Sequence, residues 1–210
     1  MHPFENLDKE KQKKILNAAF KEFAEHGYEH ASTNKIVKNA GIGKGMLFYY
    51  FKSKKDLYYY LINYGLNFIK KHYLDLINTD ESDFIKRLVE ATKLKLKAYT
   101  KHPELFHFLG DLLINDDLEL PAELKDKFLE LRQLGYDIMF DNIDTTLFRE
   151  DIDIEKAFQL IRWSIEGYQN HIIEELKGKK ISDVNFDPYW EEFFGYLAVL
   201  RRVYYREEKA

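Results

Sequence analysis

At 210 residues with no cysteine, the chain is long enough to bury a sizeable core, and disulfides, zinc–thiolate sites and thiol nucleophiles are excluded. The charged N-terminus and the lack of any apolar run near the roughly 18–20 residues that span a bilayer lead us to expect a cytoplasmic protein with no membrane partner. The formal net charge of −4 hides an asymmetry: eleven Lys against six acids give residues 1–55 a charge of +5 and leave −9 for the rest, the distribution expected when one end meets phosphate.

Only four Pro and ten Gly punctuate the sequence. Apolar residues recur every three to four positions, with no sustained alternation and no Asn-Gly hairpin signal, which predicts an all-α fold. A first helix is expected over 8–26, with Leu16, Ala19, Phe20, Phe23 and Ala24 on one face and Gly27 as its stop. Ser32 or Thr33 can cap a short second helix that carries Ile36, Val37 and Ala40 and breaks at Gly41. Ile42 sits in a tight turn, and a third short helix follows over about 44–51. Ser53 caps a fourth helix, with Asp56 as its capping-box acid.

Longer helices are expected over 54–78, 82–101, 103–115, 121–148, 153–177 and 187–206. Pro103, Pro121 and Pro188 fall where a first turn tolerates a missing N–H, and Asp187 is placed as an N-cap. There is no internal repeat and no flexible linker. The expected division is a helix-turn-helix head of three helices over 1–53 and a helical effector-binding and dimerisation body over 54–210, packed together through the fourth helix.

Residues 27–58 are the informative segment, because a capped short helix, a Gly-containing turn and a second short helix have helix-turn-helix spacing. The second of these helices would enter the major groove. Lys44 can reach a phosphate or a guanine edge, and Gly45 lets a backbone approach closely. Tyr49 and Tyr50 offer rings to a thymine methyl and hydroxyls to phosphate, while Leu47 and Phe51 face inward. Ser32 and Thr33, with the free N–H groups of the second helix, form an anion site, and Lys54 is a second phosphate clamp. The expected DNA-binding set is Ser32, Thr33, Asn34, Lys44, Gly45, Met46, Phe48, Tyr49, Tyr50 and Lys54.

This segment resembles the DNA-binding domain of the TetR family of bacterial transcriptional regulators. The resemblance is carried by Gly27-Tyr28, Ser32-Thr33, Ile36-Val37, Ala40-Gly41-Ile42, Lys44-Gly45, Leu47, Tyr50-Phe51 and the run from Lys52-Ser53-Lys54 to Leu57-Tyr58. It covers about residues 8–58. Gly43, Met46 and Phe48 depart from the commoner Ser, Thr and Tyr, so Phe48 supplies no hydroxyl. The resemblance implies an operator-binding homodimer, a repressor released by a small-molecule effector, with the effector site in the body.

Two stripes in the last long helices suit either a dimer seam or the protomer core. They are Phe158, Ile161, Ile165, Tyr168 and Ile172, and then Phe193, Leu197, Leu200 and Tyr204. The expected dimer face takes all of these except Tyr168. Phe68, Phe106, Phe108, Tyr136, Met139, Phe140, Trp163 and Tyr168 are candidates for an apolar effector pocket, which points to a hydrophobic ligand.

No Gly-rich phosphate loop, HExxH or nucleophile elbow occurs. His26 and His30 are separated by Gly27, and His102 and His107 lie off one face. Asp116-Asp117 and Glu174-Glu175 are isolated acidic pairs. No catalytic residue, metal ligand or cofactor is therefore expected. An activator with the same head, a helical small-molecule-binding protein and an enzyme remain alternatives.

Overall fold

The periodicity that makes the sequence all-α also sets its architecture, which is described for residues 3–115 and 120–207 in a computed structural model. The Asp116-Asp117 pair lies outside those residues. Among the described residues there are nine α-helices: α1 (Lys9–His30), α2 (Thr33–Ala40), α3 (Lys44–Tyr50), α4 (Lys54–His72), α5 (Phe84–Lys101), α6 (Pro103–Asn115), α7 (Ala122–Phe140), α8 (Ile154–Leu176) and α9 (Asp187–Tyr204). Short 3-10 turns join several of them, and one isolated bridge pairs Phe148 with Tyr205.

Several ends differ from the periodic pattern. Helix α7 stops at Phe140, eight residues before the expected end, and Asn142 then takes a left-handed φ of 51°. Asn is among the few side chains that tolerate that region. The fully buried Arg87 of α5 holds this terminus, donating to the carbonyls of Ile138, Met139 and Asp141 and reaching Thr79 and Glu81 on the other side. Its cation thus sits on the negative end of the α7 dipole. Helix α4 gives way after His72 to a 3-10 turn over Leu74–Leu76. Helix α9 has Phe186 rather than Asp187 at its N-cap position, and the Asp187 N–H donates to the Asn185 side chain at 3.1 Å.

One apolar cluster joins α1 to α4 with α6. It contains Phe20 and Phe23 of α1, Ile36 of α2, Leu47 of α3, Leu61 of α4, and Phe108 and Leu109 of α6. The head is therefore joined to the body along α1 and α6 as well as through α4. Gly65 permits the close crossing of α4 and α6, since a Cβ there would lie 3.0 Å from the Leu109 side chain.

A second cluster is built on Phe84, Ile85, Phe148, Ile161, Leu197 and Tyr205. It takes up two residues of the expected dimer seam. Ile161 is 0 % and Leu197 1 % exposed, and Phe158, Ile165, Phe193, Leu200 and Tyr204 pack against the same cluster. Ile161 and Leu197 are thus taken up inside the protomer, whereas Phe158, Ile165, Ile172, Phe193, Leu200 and Tyr204 are half-buried. The apolar residues that face outward on α8 and α9 are Leu160, Trp163, Tyr196, Val199 and Val203.

Candidate nucleic-acid interface

Asp8 starts α1 by accepting from the Glu10 and Lys11 amides. Gly27, at φ 63° and ψ 178°, kinks its last turn, a conformation that a side chain would strain. Beyond the kink Tyr28 packs on Tyr58, with ring centroids 5.0 Å apart. Ser32 then begins α2, its hydroxyl accepting from the Lys35 amide while its own N–H donates to the buried Glu22 at 2.9 Å. Glu22 thus ties the start of α2 to α1. The sequence reading passed over it, although an acid beside Ala18, Ala19 and Phe23 on an apolar stripe was its signal.

Gly41 closes α2 in the left-handed region (φ 67°, ψ 36°), and the Ile42 N–H returns to the Val37 carbonyl at 3.0 Å. This cap turns the chain sharply enough to launch α3 across α2. Helix α3 then presents two faces. Leu47 is 1 % exposed, and Phe51, just past its end, is equally buried. Phe4, from the 3-10 turn Pro3–Asn6, seals this side with its ring against Tyr50, Phe51 and Tyr60. Phe4 was also missed. Its only mark in the sequence is a lone aromatic residue in a charged N-terminus.

On the outward side lie Lys44, Gly45, Met46, Phe48 and Tyr49, the last 77 % exposed. Residues 44, 45, 48 and 49 share one strip of the helix surface, and the Lys44 ammonium stands 5.9 Å from the Phe48 ring centroid. Asn34 is exposed on α2, and Ser32 and Thr33 are half-buried at its start.

Two of the expected contact residues are engaged within the protomer. The Tyr50 ring is half-buried and meets Phe4 at 5.6 Å instead of standing free. The Lys54 ammonium donates to the carbonyls of Glu29 at 3.0 Å and Ala31 at 3.4 Å and lies 4.8 Å from the Tyr28 ring centroid. It caps the end of α1, because the last carbonyls of that helix lack backbone partners, and so it is already committed within the protomer.

The residues expected to line a pocket do not gather in one place. Phe108 is buried between α1 and α4. Phe68 packs on His72 and His102, and Phe106 on Tyr99. Tyr136 and Phe140 stack at 4.4 Å and, with Thr79, Asp137, Ile138 and Asp141, line an open hollow of ≈ 440 Å³. Met139 packs between two apolar clusters, and Trp163 is 59 % exposed. The Tyr168 hydroxyl donates to the Tyr189 carbonyl and to Glu192, and these bonds tie α8 to α9.

A short capped helix, a left-handed turn and a second short helix with an outward face of cation and rings make a helix-turn-helix, the reading head of a transcriptional regulator. The chain belongs to the TetR family: residues 15–61 match the profile described as bacterial regulatory proteins, tetR family. It is 30 % identical over 186 residues to an HTH-type transcriptional regulator of Staphylococcus aureus (strain MRSA252), an alignment covering 79 % of this chain and 91 % of that one.

A TetR family transcriptional regulator from Chloroflexus aurantiacus superposes with a TM-score of 0.62 at 25 % identity, over 99 % of both chains. The ketosteroid transcriptional regulator KstR2 of Mycobacterium tuberculosis shares the fold, with a TM-score of 0.59 at 19 % identity over 96 % of this chain and 98 % of that one. The chain is accordingly a transcriptional regulator and not an enzyme. Among the described residues no helix is long and apolar enough to cross a membrane.

Proposed function

We propose that the protein is a homodimeric repressor that reads a palindromic operator with α3 and lets go of it when a hydrophobic small molecule binds in the helical body. The observation that carries the reading is Gly45. It sits inside a helix, where glycine is unfavourable, and a Cβ built on it meets nothing within 4 Å. Nothing in the protomer therefore requires a glycine there, and its bare backbone leaves room for DNA to lie against α3. Lys44 and Tyr49 flank it and supply a cation and a ring to phosphate and base edges. Ser32, Thr33 and Asn34 at the start of α2 serve a neighbouring phosphate.

The second copy docks on the outward stripe of α8 and α9, Leu160 and Trp163 with Tyr196, Val199 and Val203. Each of these five large apolar side chains is exposed in the protomer, and a contiguous apolar surface marks an interaction site. A two-fold reader of a palindromic operator must hold its two α3 helices about 34–36 Å apart, the spacing of successive major-groove half-sites. The effector shifts this spacing only to the extent that it binds one conformation of the body better than the other.

The test is a gel-shift titration on DNA flanking the protein's own gene, with salt varied and excess unrelated DNA present. Tight, salt-dependent binding to one palindromic fragment supports the reading. Failure to select any sequence, from that DNA or from a random pool, overturns it.

A further inference from the structure

Helix α3 has seven residues, and two of them face the protein: Leu47 lies in the core and Tyr50 packs its ring on Phe4. At about 3.6 residues per turn, the opposite face is centred on Gly45 and Tyr49, with Phe48 on one flank and Met46 on the other. All four are exposed, Met46 by 37 %, Phe48 by 36 % and Tyr49 by 77 %. Gly45 leaves the middle of this face without a side chain. A surface pressed against it therefore meets Met46 and Phe48 on either side and Tyr49 one turn on. The Tyr50 ring supports the Tyr49 ring edge-on, with centroids 5.0 Å apart.

The side chains that read bases by paired hydrogen bonds are Arg or Lys for guanine and Asn or Gln for adenine, while Asp or Glu accepts from cytosine. Helix α3 holds no Arg, Asn, Gln, Asp or Glu. Lys44 is its one group of that kind, and the Tyr49 hydroxyl adds a single polar contact. The rest of the outward face is a thioether and two aromatic rings. The apolar feature that a base edge presents in the major groove is the thymine C5 methyl. Charge favours DNA over a protein as the occupant, since residues 1–55 carry +5 and Lys38, Lys44 and Lys52 stand exposed on and beside α2 and α3.

We infer that α3 selects its half-site through thymine methyl groups covered by Met46, Phe48 and Tyr49, while Lys44 fixes one guanine edge. The inference rests on the operator-reading proposal above and narrows it. Discrimination comes from apolar contact with C5 methyls and not from paired hydrogen bonds to adenine or cytosine. One covered methyl is worth about fourfold in affinity. A two-fold operator repeats each contact, so the effect of one position is squared.

The test begins with selection of an operator from a random duplex pool by the full-length protein. Each thymine of its half-sites is then replaced by deoxyuridine, which removes the methyl and leaves the pairing groups unchanged, and affinity is read by gel shift. Deoxyuridine in both half-sites should weaken wild-type binding about tenfold or more at two positions at least. Met46→Ala, Phe48→Ala and Tyr49→Ala should each lose the response at one thymine and keep it at the others. The inference is overturned if no position responds by more than about twofold, well short of two covered methyls. It is also overturned if every response survives in all three variants, because the methyls then act through DNA shape and not through these side chains. An operator indifferent to deoxyuridine removes this inference and leaves the regulator reading in place. A pool from which no sequence emerges removes both.

Discussion

The Phe108 ring of α6 meets the Tyr58 ring of α4 edge-on, with centroids 5.3 Å apart, and lies 5.3 Å from Phe20 and 6.3 Å from Phe23 of α1. One residue of the body thus packs into the core of the head. A displacement of α6 must either carry α1 with it or open this cluster, because packed aromatic cores do not deform continuously. Phe108→Ala should therefore cost about 3–5 kcal/mol of stability. In guanidinium the wild-type head and body should unfold in one transition. Two separate transitions would contradict a shared core.

Lys44 and Tyr49 point away from the protomer, so their removal should be felt only by DNA. Lys44→Ala and Tyr49→Ala are each expected to weaken operator binding by about 1–3 kcal/mol, the usual worth of a good base contact. Melting temperature and dimerisation should not move. Wild-type affinity in both variants would mean that α3 reads DNA with another face.

Gly45→Ala separates folding from function more sharply. A Cβ at this position meets no neighbour, and Ala is favoured over Gly in a helix by about 1 kcal/mol. The variant should melt at or above the wild-type temperature and still lose operator affinity. Retained affinity in a gel shift would remove the argument that a DNA backbone lies against this residue.

Asp83 links the start of α5 to the end of α9. It accepts from Arg201 at 2.6 Å, from the Tyr205 hydroxyl at 2.9 Å and from the Lys86 amide at 3.1 Å. Burial pushes its carboxyl up, but the hydrogen bonds from Arg201, the Lys86 amide and Tyr205 outweigh burial and leave it below its usual range. A folded pKa below the unfolded one stabilises the protein above the ordinary carboxylate value of about 3.9 and ceases to do so as pH falls through the folded value. Denaturant midpoints should therefore drop below about pH 4. Asp83→Asn should remove part of that drop and lower stability at neutral pH by about 1–3 kcal/mol.

Val199→Glu places a charge in the outward stripe of α9, where solvent now covers a side chain 54 % exposed. The protomer should fold unchanged, since exposed substitutions usually alter stability within about 0.5 kcal/mol. Sedimentation is expected to show monomers, with operator affinity lost. A dimer with wild-type affinity would place the two-fold contact elsewhere.

The head was legible in the sequence because its signals are local. Gly27, Ser32, Gly41 and Ser53 each fix a turn or cap by their own chemistry, and the inward pair Leu47 and Phe51 follows from four-residue spacing. The helical composition of the body was legible from the same periodicity. Periodicity states which residues share a face but not what that face meets. Phe158, Ile161 and Leu197 therefore read as a seam, whereas Leu160, Trp163 and Val199 turned out to face outward. Lys54 reads as a free cation until the carbonyls of Glu29 and Ala31 come within reach. Capping and turn formation are settled within a few residues of chain, whereas burial and partnership depend on helices far apart in sequence, and only their packing decides them.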